Sequence, residues 1–214
     1  MRVVTDNLGF LLGGLLVTLE LTVLGFVGAL LLGTVLAVFR VSPVAPLRWV
    51  GAVYVEVLRN MPLLTLLILV VFGLPDVGLT FSLFTSAAAC MAAFAAAFVC
   101  EAVRGGINTV PVGQAEAARS LGMTFTQSLR HVVLPQAFRT VLPPLASALI
   151  AMTKNSSVAV GVGVTEATFM MKKLTNDYAT GLYAIFLGFA LGYMVLVGII
   201  ALTASLLERR ARVA

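Results

Sequence analysis

Charge is scarce in this chain. Only 11% of its 214 residues are Asp, Glu, Lys or Arg, while 60% are hydrophobic, and the mean hydropathy is +1.07. So little charge excludes a soluble domain of ordinary make-up and describes an integral membrane protein. Cysteine is nearly absent too. Cys90 and Cys100 share one apolar segment, which indicates neither a disulfide framework nor a metal site. The lone histidine, His131, has no second ligand at metal spacing, so it reads as a solvated or interface residue. No glycine-rich loop ends in Lys-Ser or Lys-Thr, which excludes ATP hydrolysis by that route. Polar residues are too few and dispersed for an intramembrane enzyme. A self-contained ion-coupled secondary transporter would predict inverted repeats, and none is visible. The chain is therefore expected to be non-catalytic, with no cofactor or metal of its own.

What is present is a series of long apolar runs, read as one membrane domain over 1–214. Spans are expected at about 8–39, 49–74, 81–103, 141–164 and 181–207. The first run has no small-residue cleavage site after it and is expected to be retained. Glycines within it, and alanines crowding the third span, would let helices approach closely. The second span is interrupted by Glu56, Arg59, Asn60 and Met61-Pro62, and Pro143-Pro144 is expected to open the fourth.

The net charge of +5 and pI near 9.7 come from basic residues at the ends of apolar runs, not from a stripe suited to nucleic acid. With the N-terminus outside, five spans put nine arginines on the cytoplasmic side: Arg40, Arg48, Arg104, Arg119, Arg130, Arg139, Arg209, Arg210 and Arg212. Three cations, Arg2, Lys172 and Lys173, fall outside. The positive-inside rule thus places the N-terminus outside and the C-terminus inside.

The one long polar insertion, Gly113 to Pro135, then lies in the cytoplasmic segment of about 104–140. It reads as two short helices. Gly122 supplies the left-handed stop of the first, Thr124 and Gln127 spell a capping box for the second, and Pro135 is expected to end it. Ala117 and Ala118 would permit close helix approach, Glu116 offers a carboxylate, and Phe125, Leu129, Val132 and Val133 share one face.

Charged residues inside the spans face protein or a water-filled cavity because lipid rejects them. Arg59 lies eleven residues after Arg48 and Lys154 eleven after Pro143, about 16 Å deep in a ~30 Å core. Two such cations suit a solute that carries a carboxylate. Structural pairs are the alternatives, Arg59 with Glu56 at i, i+3 and Lys154 with a carboxylate such as Glu20. Glu101 and Arg104, also i, i+3, read as a boundary salt bridge or gate.

Glu116-Ala117-Ala118, Gly122, Val132 and Leu134-Pro135 match the EAA loop of ABC importer permease subunits. The runs RNMPLL from Arg59, CEAVRGGINTV from Cys100 and LIAMTKNSSVAVGVGVTEA from Leu149 extend the likeness over about Gly13 to Leu207. The chain resembles the polar amino acid branch of that family, in particular the permeases of actinobacterial glutamate importers. The resemblance implies an all-α, five-helix type I importer core in the cell membrane. It implies that Gly113, Glu116, Ala117, Ala118, Gly122, Leu134 and Pro135 form a coupling helix region for an ATPase dimer, which binds the ATP and Mg. Arg59, Asn60, Pro62, Lys154, Asn155 and Ser156 would line the solute's path, and Met61 and Ser156 depart from residues common in relatives. A second permease and an extracytoplasmic amino acid binding protein are the other implied partners. Glutamine, aspartate or a basic amino acid are the alternative solutes.

Overall fold

The computed structural model describes residues 2–213. The side chains of Arg2, Ala179 and residues 211–213 lie outside that description, and with them the sides assigned above to Arg2 and Arg212. Helices are the regular elements of the described residues. In chain order they are α1 (Arg2–Asp6), α2 (Leu8–Val41), α3 (Ala45–Asn60), α4 (Leu63–Asp76), α5 (Leu83–Asn108), α6 (Val112–Ser120), α7 (Phe125–Val162), α8 (Ala167–Asp177) and α9 (Leu182–Val213). Four of them, α2, α5, α7 and α9, are long and apolar enough to cross a membrane, and α3 with α4 makes a fifth crossing if the pair is one broken span.

The centre of the fold is the seam between α2 and α5, which run parallel. Gly25 sits against Met91 and Ala88, and Gly33 against Ala96 and Val99. A Cβ on Gly33 would lie 2.7 Å from the Ala96 carbonyl oxygen, a distance that no side chain can occupy. Alanines 87, 95, 96 and 97 on α5 are buried in the same seam, so two backbones approach where larger residues would hold them apart. α7 closes this core through Met152, and α4 through Leu63 and Leu67. A separate cluster of Leu11, Ala167, Leu174, Ile185 and Phe189 ties α8 and α9 to the start of α2.

Several helix ends differ from the sequence reading. The second apolar run is not straight. Pro62 lacks a donor and pushes Met61 into extended backbone (φ −96°, ψ 135°), so α3 stops at Asn60 and α4 departs at 104°. α4 runs on through Pro75 to Asp76, and Gly78, at φ +83°, closes the turn behind it. α5 continues past Gly105-Gly106 to Asn108, where the Thr109 hydroxyl donates to the Gly106 carbonyl at 2.7 Å.

The largest correction concerns proline. Pro135 does not end a helix, and Pro143-Pro144 does not begin one. All three lie inside the continuous helix α7. Residues Leu129–Val133 widen into a π turn in which the Leu134 N–H donates to the Leu129 carbonyl, five residues back. That wider turn just ahead of Pro135 relieves the ring's clash with the preceding turn. The far end of α7 tightens to 3-10 winding over Ser156–Val162 and stops at Gly163, whose φ is +86°. The stretch between the fourth and fifth expected spans contains the helix α8.

Candidate functional site

Two places carry most of the residues singled out by the sequence, the loop that joins α5 to α7 and the interior lined by α4, α5 and α7. In the loop, α6 ends as a reversed turn. Gly122, at φ +81°, lets its N–H reach the Arg119 carbonyl at 2.9 Å while the Met123 N–H reaches that of Ala118 at 3.2 Å. Thr124 and Gln127 form a complete capping box at the start of α7. Ala118 is buried, whereas Ala117 and Glu116 face outward, as does Gly113. The two alanines thus serve different surfaces. Leu134 and Pro135 are exposed at the other arm of the loop.

Beside Glu116 the loop exposes large apolar side chains, Val112 at 74%, Leu121 at 83% and Phe125 at 78%. Val112 and Leu121 were not singled out by sequence. They are lone apolar residues flanking a polar helix, and periodicity gives no signal for them. Apolar area of this kind, on α6 and at the loop end of α7, fits a surface that another protein covers. His131 is exposed on the π turn.

The neck of the loop is stapled. Thr140 on α7 donates to the Gly106 carbonyl of α5 at 3.3 Å, and its hydroxyl lies 3.0 Å from that of Thr109. Gly106 packs on Val141, leaving no room for a larger residue. Above this neck lies a cavity of about 760 Å³, lined among others by Leu63, Met91, Phe98, Glu101, Ser147 and Asn155.

The sequence-predicted polar residues divide around this cavity. Arg59 does not pair with Glu56. Its guanidinium lies over the Phe98 ring, 5.7 Å from the centroid, while the Glu56 carboxylate accepts from the Asn60 amide at 3.0 Å. Both carbonyl and carboxylate of Glu56 satisfy Asn60, so the pair predicted for Glu56 is formed with Asn60 in place of Arg59. Pro62 is exposed at the break between α3 and α4, and Asn155 lines the cavity.

Lys154 points elsewhere. It is exposed in a second cavity of about 650 Å³, lined also by Ser157, Thr168, Phe186, Phe189 and Tyr193. Among the described residues no carboxylate lies within ion-pair distance of it, and Glu20 is exposed apart from it. Ser156 is buried and donates to the Thr153 carbonyl at 2.8 Å, so it faces neither cavity.

The two cations are also not at one depth. Met152 meets Gly25 and Met91, which places the level of α7 next to Lys154 at residue nine of α5, ~12 Å from the Leu83 end. Arg59, over Phe98, is ~15 Å from the Asn108 end. The estimate from Pro143 placed Lys154 at the middle because it took the helix to start there.

Glu101 and Arg104 form the expected pair, and it is bidentate: Arg104 Nη2 donates to Oε2 at 2.7 Å and Nε to Oε1 at 3.2 Å. Arg40 of α2 adds a third contact, Nη2 to Oε1 at 3.3 Å, which sequence spacing could not reveal.

Glu166 was missed altogether. Its carboxylate is fully buried and caps α8, accepting from the backbone N–H of Thr168 at 2.8 Å and of Phe169 at 2.9 Å. Tyr193 of α9 donates to it at 2.8 Å, and Thr18 of α2 lies at 3.5 Å. Burial raises the pKa of this carboxyl, and the same hydrogen bonds act against the rise. A glutamate just before an apolar helical stretch was the available signal.

A family model described as the binding-protein-dependent transport system inner membrane component matches residues 29–213. The glutamate transport system permease protein GluC of Corynebacterium efficiens is 41% identical over 192 residues, covering 84% of this chain and 84% of that protein. The probable glutamine ABC transporter permease protein GlnM of Bacillus subtilis is 36% identical over 207 residues, covering 96% and 94%. Among solved structures, the crystal structure of an amino acid ABC transporter with histidines superposes with a TM-score of 0.89 at 33% identity, covering 96% of each chain.

Proposed function

The chain belongs to the family of binding-protein-dependent transport system inner membrane components, which makes it a non-catalytic, multi-pass permease subunit of an amino acid ABC transporter, and on that premise we propose that it forms the path for a polar amino acid, glutamate first among them. The observation that carries this reading is the succession of three features from the loop into the span. An outward-facing Glu116 with exposed Val112, Leu121 and Phe125 lies below a stapled neck, and the neck lies below a cavity of about 760 Å³.

In this reading α6 docks into a groove of an ATP-binding subunit, with the apolar side chains filling it and Glu116 fixing register. ATP and Mg reside in that partner. Nucleotide-driven closure of two ATPase subunits moves the loop, and α5 and α7 carry the motion into the membrane. Because one chain leaves Arg59 and Lys154 exposed within its spans, a second permease, twin or related, completes the walls around them. An extracytoplasmic binding protein delivers the solute near the 77–82 and 163–181 connections, with the N-terminus outside and the C-terminus inside.

Support for glutamate comes from the likeness to GluC and from Arg59 beside the cavity. Glutamine is the competing solute, favoured by the likeness to GlnM. Aspartate or a basic amino acid remain further alternatives.

The test is co-purification of the wild-type chain, Glu116→Lys and Gly122→Pro with the ATPase, followed by ATPase activity with loaded binding protein. An active wild-type complex with assembly or stimulation lost in both variants is the expected result. Transport by the chain alone, unchanged in the variants, would overturn the importer reading in favour of an ion-coupled carrier.

A further inference from the structure

The cavity lined by α5 and α7 has a single charged residue in its wall, Glu101. A bare carboxylate there would repel an anionic solute. Glu101 is not bare, because Arg104 grips both of its oxygens and Arg40 reaches one of them. Arg59 stands over Phe98, three residues before Glu101 on α5 and part of the same cavity lining. Two guanidiniums from two helices therefore hold one carboxylate, and a third stands over a ring of the same cavity, behind a lining whose one charged residue is Glu101.

We propose that Glu101 is a tethered stand-in for the solute's carboxylate. It holds Arg104 and Arg40 while the path is empty and competes with an anionic amino acid for them when the path is filled. The proposal rests on the reading of this cavity as the solute's path.

Geometry supports exchange. The side chains of Arg40, Arg104 and Glu101 are 23%, 32% and 22% exposed, so the chain itself does not bury any of the three. The fork of Arg104 matches any carboxylate in the two-bond mode it now uses with Glu101. Arg59 is held by a ring face and has no carboxylate within ion-pair distance among the described residues, which leaves its donors for an arriving solute. A solute carboxylate meets Arg59 and then displaces Glu101 from Arg104. The return of Glu101 to Arg104 expels it again. Glu101 thus weakens binding of acidic amino acids and speeds their release, while neutral amino acids gain nothing from either step.

The test compares glutamate with glutamine, which differ by one ionised group. Equilibrium binding of each is measured on the purified permease–ATPase complex without binding protein, and transport rates are measured in proteoliposomes. Glu101→Gln is expected to tighten glutamate over glutamine about ten-fold, the order expected for one charge at this range in a partly solvated site, and to slow glutamate turnover. Glu101→Asp restores the wild-type ratio, and Arg59→Gln weakens glutamate about ten-fold with glutamine unchanged. Because the ratio is read within each variant, a smaller folded fraction leaves it unaltered. Equal shifts for both solutes in Glu101→Gln, or no rescue by Glu101→Asp, overturn the proposal and reduce the cluster to a structural pair. A wild-type complex that hydrolyses ATP yet binds neither solute overturns the path reading itself.

Discussion

The α2–α5 seam and the α6–α7 loop are both built on glycine and alanine, and they use them to opposite ends. In the seam these residues are small because something else occupies the space: a Cβ on Gly28 would sit 2.8 Å from that of Ala92, and one on Gly33 2.7 Å from Val99. In the loop Gly113, Ala117 and Gly122 stand in the open, and Ala118 alone is buried. A Cβ on Gly113 or Gly122 would meet nothing within 4 Å, and Gly122 is needed only for its backbone angle. Small residues in the seam make two helices one body, whereas in the loop they leave a surface bare for another molecule. The first half of the comparison concerns stability and the second concerns assembly.

Variants can separate the two. Gly33→Leu drives a side chain into the Ala96 carbonyl and should cost about 3 kcal/mol or more, read as a lower melting temperature of the detergent-solubilised chain. Gly113→Leu, the same change in open space, should leave that melting temperature unmoved.

The packed half continues into the Glu166 network on α8. Glu166→Ala strands the Thr168 and Phe169 donors and the Tyr193 hydroxyl and should cost roughly 2 kcal/mol in thermal unfolding, while Glu166→Gln, which keeps one acceptor oxygen, should cost less.

In the bare half the signs reverse. Phe125→Ala should leave melting unchanged, because the ring is 78% exposed, yet weaken association with the ATPase subunit about ten-fold in a titration. Gly122→Ala is the smallest effect. It forces a side chain into the left-handed region and should cost about 1 kcal/mol of loop order, seen as faster amide exchange over α6 with the seam unaffected.

Much of this division was legible in the sequence. Hydropathy gave the apolar runs, and local turn chemistry gave Gly122 and the Thr124–Gln127 capping box, because caps depend on residues within one turn. Proline misled the reading. A proline's effect depends on whether the turn before it can widen, and the π turn at Leu129–Val133 has no composition of its own. The contacts of Arg40 with Glu101 and of Glu166 with Tyr193 were hidden for another reason. They join residues far apart in the chain, and periodicity within one helix carries no information about its neighbour. The depth assigned to Lys154 inherited the proline error, while the site of Arg59 needed the bend at Pro62 and the ring of Phe98.

α7 has a mechanical consequence. At ~1.5 Å per residue its 38 residues make a shaft of about 57 Å, from the capping box beside α6 to the 3-10 winding before Gly163. A push on one end of such a shaft arrives at the other without relays, and the π turn next to Pro135 is its one compliant coupling on the loop side. In the coupling proposed above, torque from the loop would be delivered to the Asn155 and Lys154 level in a single stroke, and the opposite pull would return by the same shaft.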